Sequence, residues 1–192
     1  MLRRPRSTGR LHDYKLAEVE IQKREMAGSS LAHRAAASAV RIRRPTVDDI
    51  DQLITIENRC FRAHRFTRVD FEYHLRNPES IFAVAEDANR IVGYIAGIIY
   101  RGSKERIGKI YSMAVLPEWR KHHIGSTLLR FFEREAAKRG SGSVTLEVRR
   151  SNRAARSLYR QFGYIVDNVL RDYYAPGSHG LKMRKDLNSG NG

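Results

Sequence analysis

One cysteine, Cys60, occurs in 192 residues. It cannot close an internal disulfide or build a cysteine-rich metal site, and it suits a reducing compartment, so a cytoplasmic protein is expected. Its neighbours Ile56, Glu57 and Phe61 assign it to the packed side of a helix. No uninterrupted apolar run approaches the ~18 residues of a membrane-crossing helix, and no repeat of roughly 20 to 50 residues is present. His64, His74, His122, His123 and His179 lack ligand spacing, so no metal is expected. Acidic residues are in short supply: 21 Asp+Glu against 36 Lys+Arg leave a net charge of +15. Such a field favours anionic partners, from a nucleotide cofactor to RNA or an acidic protein surface, without choosing among them.

What is present fits one well-buried domain. Residues 1–39 are set apart as a basic extension. They lack the apolar core of a secretory signal, their acids Asp13, Glu18, Glu20 and Glu25 argue against an organelle transit peptide, and Leu16 to Met26 could form a short helix. The domain is expected over 40–188, with a flexible tail at 189–192. Val40 to Arg43 reads as a strand closed by Pro45, and Thr46 with Asp48 and Asp49 as a helix start. Helices follow over Ile50 to Phe61 and Val69 to Leu75, separated by the loop Phe61 to Phe66. Strands at Ile81 to Glu86 and Ile91 to Tyr100 flank a turn at 87–90. After a strand at 110–116 come a helix from Ile124 to near Gly140, a strand at 144–149, and a helix at 153–162 closed by Gly163. Two strands, 164–174 and 181–187, joined by a loop at 175–180, complete an α/β domain on one mixed sheet.

The organising stretch is Ile110 to Arg130. Its strand stops at Pro117, and its helix shows apolar residues at Ile124, Leu128, Leu129, Phe132 and Ala136. Between them Arg120, Lys121, His122 and His123 bring positive and imidazole groups to a helix N-terminus, where free backbone N–H groups favour phosphate. Neither a Gly-Lys-Ser/Thr phosphate loop nor a three-glycine dinucleotide fingerprint is present. The turn resembles the acetyl-CoA pyrophosphate loop of the GNAT N-acetyltransferases, Gln/Arg-x-x-Gly-x-Gly/Ala. Arg120 and Gly125 fill its first and last places, while His123 stands where the first glycine is usual, at a backbone path that histidine accepts less readily.

A second motif, Leu146 to Tyr159, fills every specified position of L-E-V-R-x-x-N-x-x-A-x-x-L-Y. It resembles the ribosomal-protein-alanine and related protein N-terminal acetyltransferase branch of the same superfamily. The resemblance implies a mostly antiparallel mixed sheet with a splayed central strand pair and flanking helices, and acetyl-CoA as co-substrate. Acetyl transfer needs a base for the acceptor amine, stabilisation of an oxyanion and a proton for the leaving thiolate. Glu147 can serve as the base, since desolvation in a cleft raises a carboxylate's proton affinity; an ion-paired strand carboxylate is the plain alternative. Tyr159 shares a helix face with Asn152 and Ala155 or Arg156, and the resemblance makes its phenol the proton donor to the thiolate; a core tyrosine is the plain alternative.

By the same resemblance, backbone N–H groups of Met113, Ala114 and Val115 would hold the oxyanion and run along the pantetheine. Lys121, His122, His123, Ile124, Gly125 and Ser126 would surround the pyrophosphate. Asn152 would bond the pantetheine arm or cap its helix, and Tyr173 and Tyr174 would form a peptide-binding lip. The acceptor favoured is the α-amino group of a protein or peptide, with room for ribosome association. A lysine or small-molecule amine acceptor, and a basic RNA- or ribosome-docking module without catalysis, are the alternatives.

Overall fold

The computed structural model describes residues 40–187; the expectations for residues 1–39 and 188–192 lie outside them. Chain order gives β1 (Arg41–Arg43), α1 (Ile50–Cys60), α2 (Arg68–Arg76), β2 (Ser80–Asp87), β3 (Arg90–Arg101) and β4 (Arg106–Val115). Then follow α3 (Ile124–Lys138), β5 (Ser141–Arg149), α4 (Arg153–Gln161), β6 (Ile165–Ala175) and β7 (Ser178–Asp186). The sheet runs β1-β2-β3-β4-β5-β7-β6, antiparallel except at β4 and β5, which are parallel.

Capping fixes the helix starts. Asp49 accepts a hydrogen bond from the Thr46 N–H at 2.7 Å, and Asp70 does the same for Thr67 at 2.7 Å, so each entering turn satisfies a donor that the helix leaves open. Gly163, at φ +85°, closes α4 as expected. Two apolar layers sandwich the sheet. On one face Ile50, Leu53, Ile56 and Phe71 of α1 and α2 pack with Phe82, Tyr94, Ala114 and Leu116. On the other, Leu128, Leu129 and Phe132 of α3 and Ala155 and Tyr159 of α4 pack with Ile95, Ile110, Leu146 and Met183. Each such side chain contributes roughly 1.5–3 kcal/mol by burial.

Several strand boundaries differ from the sequence expectation. β4 begins at Arg106, four residues before the apolar run at Ile110, and Gly108 within it is a packing device. A Cβ there would meet Ala136, Phe132 and Val144 at 3.2–3.3 Å, so glycine lets α3 lie close on the strand. The last loop is also shorter than 175–180: only Pro176 and Gly177 separate β6 from β7, and His179 and Gly180 are already in β7. The irregularity lies instead in β6, where pairing skips from Leu170 to Ala175 and Asp172 takes φ +49°. The Asp172 carboxylate accepts from the Gly177 N–H at 2.7 Å, holding that bulge against the turn.

Candidate active site

The centre of the sheet comes apart by register. β4 pairs with β5 only from Arg106 to Lys109, opposite Ser141 to Thr145; beyond that the two parallel strands part. On its other edge β4 stays paired with β3, but the register slips between Ala96 and Gly97, leaving Tyr111 as an extra residue. The bulge turns two consecutive side chains, Tyr111 and Ser112, toward α1 and α2. Tyr111 packs in their apolar cluster, and Ser112 lies 2.6 Å from the Tyr94 hydroxyl. Past the bulge, the side chains of Met113, Ala114 and Val115 are all buried in the two cores, so the parted edge offers backbone groups to the opening.

At the mouth of the opening, a short 3-10 turn, Pro117–Trp119, leads from β4 into the start of α3. Lys121 and His123 both take left-handed backbone, φ +67° and +59°. His123 is the N-cap of α3, so the position that usually carries glycine does demand a glycine-like conformation, and histidine adopts it. The first intrahelical bond here is Thr127 N–H to the His123 carbonyl, 2.9 Å, which leaves the N–H groups of Ile124, Gly125 and Ser126 pointing out of the helix end. The first turn of α3 contains no acid. Glu118, the acid nearest in sequence, is taken by Arg59 and Arg90, both at 2.9 Å. Lys121, His122 and His123 are exposed around this end. Arg120 points inward, its Nε donating to the Val115 carbonyl at 3.3 Å, so it braces the turn against the end of β4. The Cys60 thiol meets the same carbonyl at 3.5 Å and is buried, as core packing requires.

Glu147 and Tyr159 lie on opposite faces of the sheet. Leu146 and Val148 point into the α3–α4 layer, so strand alternation turns Glu147 to the other side, where it is 8% exposed. Its Oε1 pairs with Lys109 Nζ at 2.9 Å. Its Oε2 is buried with no hydrogen-bond partner among the described residues. Tyr159 lies within the α3–α4 layer, 4% exposed, its ring 5.7 Å from that of Tyr164. Burial alone raises its proton affinity well above that of an ordinary phenol. Gly125 stands close by: a Cβ there would lie 3.6 Å from Leu158, so the helix end at 124–126 and the tyrosine-bearing helix form one wall. Asn152 caps α4, its Oδ1 accepting from the Ala155 N–H at 3.1 Å.

On the Glu147 face, Tyr173 is half-buried, and its phenol is pushed up to about 12, first by burial and then by the negative charge of Glu147. Tyr174 stacks edge-on to Tyr173 at 5.0 Å, carries Arg149 4.3 Å above its ring, and lies 6.4 Å from His64. That last contact joins the β6–β7 hairpin to the loop between α1 and α2. The loop is itself anchored: the Phe66 N–H donates to Glu57 Oε2 at 3.0 Å, and Glu57 Oε1 accepts from the Tyr94 hydroxyl. Glu57 is fully buried, and desolvation raises its carboxyl to about 8.

A profile of the acetyltransferase (GNAT) family matches residues 48–164, more than half of the sequence. The chain belongs to the GNAT acetyltransferase family. This GNAT chain is 36% identical over 151 residues to the N-terminal acetyltransferase A complex catalytic subunit NAA10 of Arabidopsis thaliana, covering 77% of itself and 78% of that protein. It is 30% identical over 150 residues to a Bacillus subtilis protein named as a putative ribosomal protein bS18-alanine N-acetyltransferase, covering 77% and 95%. Among solved structures, Ard1 from Thermoplasma volcanium superposes with a TM-score of 0.68 at 28% identity, covering 77% of this chain and 97% of that one. The GNAT fold therefore supplies an enzyme that transfers acetyl groups, which displaces a docking module without catalysis.

Lys109, Tyr111, His64 and Glu57 were not legible as site residues. Lys109 has no sequence signal of its own: its place, as the last β4 residue paired to β5 and on the same face as Glu147, is set by strand register.

Proposed function

We propose that this enzyme acetylates the α-amino group at the N-terminus of a protein or peptide, with acetyl-CoA as donor. The observation that carries the reading is the buried Oε2 of Glu147, without a hydrogen-bond partner among the described residues and set beside Tyr173. A carboxylate beside the parted strands suits an amine. An α-amino group, with an unperturbed value near ~8, surrenders its proton near neutrality more easily than a lysine at ~10.4. The relatives named as N-terminal and ribosomal-protein-alanine acetyltransferases support the same acceptor.

In this reading Glu147 takes the proton of the attacking amine. Backbone N–H groups of Met113 and Val115, which strand alternation turns away from β3 toward the parted edge, receive the developing oxyanion and the pantetheine arm, whereas the Ala114 N–H, like that of Leu116, faces β3. Lys121, His122 and His123, with the N–H groups of Ile124, Gly125 and Ser126, receive the pyrophosphate, while Arg120 holds the turn in place. Tyr159, kept protonated by burial, gives its proton to the departing thiolate. Asn152 fixes the start of α4 and thereby the direction of Tyr159. A ribosomal-protein N-terminus is the narrower form of the proposal.

Thiol release from acetyl-CoA, measured against free-N-terminus peptides, N-blocked lysine peptides and small polyamines, tests it. Release driven by the free-N-terminus peptides is expected; release driven equally by N-blocked lysine peptides would overturn the acceptor assignment.

A further inference from the structure

The two side chains that span the parted strands are Lys109 and Glu147. Lys109 is the last β4 residue in register with β5, opposite Thr145, and Glu147 lies two residues further along β5 on the same face. Nζ and Oε1 meet at 2.9 Å, with the lysine side chain 23% and the glutamate 8% exposed. The ammonium also sits 5.2 Å from the centre of the Tyr111 ring, the residue that the bulge turns to this face. We propose that Lys109 is a positioning residue for acetyl transfer: it occupies one oxygen of Glu147, fixes the direction of the carboxylate, and leaves Oε2 as the oxygen that takes the acceptor's proton. The inference rests on the reading of Glu147 as the base.

The surroundings support it. A carboxylate this buried needs a compensating charge to stay ionised. Among the described residues, the other groups facing Glu147 are committed elsewhere or bear no positive charge. Lys182, directly across on β7, pairs with Asp167 at 3.3 Å. Arg149, two residues on, lies over Tyr174 and donates to Ser178 at 2.6 Å. Tyr111 and Tyr173 are phenols, and the charge of Glu147 opposes loss of the Tyr173 proton. The geometry also explains why lysine suits the place. An ammonium is a compact charge that can hold one oxygen, whereas a guanidinium's fork tends to hold both and would take the free oxygen away.

The test compares pH profiles of acetyl transfer to a free-N-terminus peptide for Lys109→Gln, Lys109→Met, Lys109→Arg and Glu147→Gln. Lys109→Met keeps the apolar stem over Tyr111 and serves if the amide variant does not fold. For Lys109→Gln or Lys109→Met, kcat should fall on the order of tenfold to a hundredfold, with KM for acetyl-CoA little changed. The acid limb of kcat/KM should move up when the neighbouring positive charge is lost. Lys109→Arg restores the charge, so its acid limb should return to the wild-type position. A wild-type limb and kcat in the neutral variants would overturn the inference, as would an acid limb in Lys109→Arg displaced as far as theirs. Glu147→Gln separates the two readings: if it retains turnover, the base assignment falls and this inference with it. If it is inactive while Lys109→Gln behaves as wild type, the inference on Lys109 alone falls.

Discussion

The two faces of the central opening are built by different means. On the α3–α4 face the reactive candidate, Tyr159, is surrounded by apolar side chains, and its burial alone sets its proton affinity. On the α1–α2 face the candidate, Glu147, is almost as buried but sits among polar and charged groups: Lys109, Tyr111, Tyr173 and, deeper in the layer, Glu57 with Tyr94 and Ser112. The difference follows from the charge each group must carry. A phenol that is to hold its proton until a thiolate needs it is served by a dry, featureless wall. A carboxylate that is to accept a proton must be charged beforehand, so it needs a counter-ion and pays for that with a crowded polar layer.

The comparison can be broken most directly at the two candidates themselves. Glu147→Gln removes the carboxylate beside Tyr173 and is expected to lower kcat by about 10²–10⁴, the usual worth of a placed base. Tyr159→Phe leaves the apolar wall intact and should cost less, about tenfold or more, because water can still protonate a thiolate. Steady-state kinetics with a free-N-terminus peptide checks both, and each variant should bind acetyl-CoA about as well as wild type. Equal and negligible losses would erase the distinction between the faces.

The polar layer makes a separate prediction about stability. Glu57 keeps its proton in the folded chain up to about pH 8 but loses it near the ordinary value of 4.5 when unfolded. Its contribution is therefore fully present below about pH 4.5 and is lost as pH rises through 8. Wild-type stability should fall more steeply from pH 5 to pH 9 than that of Glu57→Gln, which cannot titrate. Denaturant unfolding across that range measures the slopes, and parallel slopes would remove Glu57 as a buried acid. The smallest effect is expected at the mouth of the cofactor wall. His123→Gly relieves a left-handed histidine at φ +59°, so the variant should gain about 1 kcal/mol, or roughly 2–4 °C in Tm, and bind acetyl-CoA at least as tightly. A large loss of affinity would instead make the imidazole a direct phosphate contact.

Most of the fold could be read from the chain because its signals are local. Thr46 caps a helix, Pro117 stops a strand, Gly163 ends α4, and the apolar spacing of α3 matches its buried face. The candidate site was legible where it falls on contiguous motifs, as at 120–126 and 146–159. It was not legible where it depends on register. Nothing in Gly108-Lys109-Ile110-Tyr111 announces that pairing with β5 ends at Lys109, that Tyr111 is an extra residue, or that a lysine reaches across to Glu147. Those facts arise from how two distant strands align, which periodicity within either strand does not encode. Glu57 could be placed on the packed side of α1 beside Cys60 but not recognised as a buried acid, because the Phe66 N–H and the Tyr94 hydroxyl that make its burial tolerable are brought in by the loop and by β3.

The short register between β4 and β5 has one further consequence. The two halves of the sheet, β1 to β4 and β5 to β7, are stitched together by a few rungs at one end and diverge like the legs of a compass toward the other. A slender donor arm bearing amides can lie along the bare leg as an added half-strand. Loading the enzyme and finishing its sheet would then be a single event, and slowed amide exchange along 110–115 would report it.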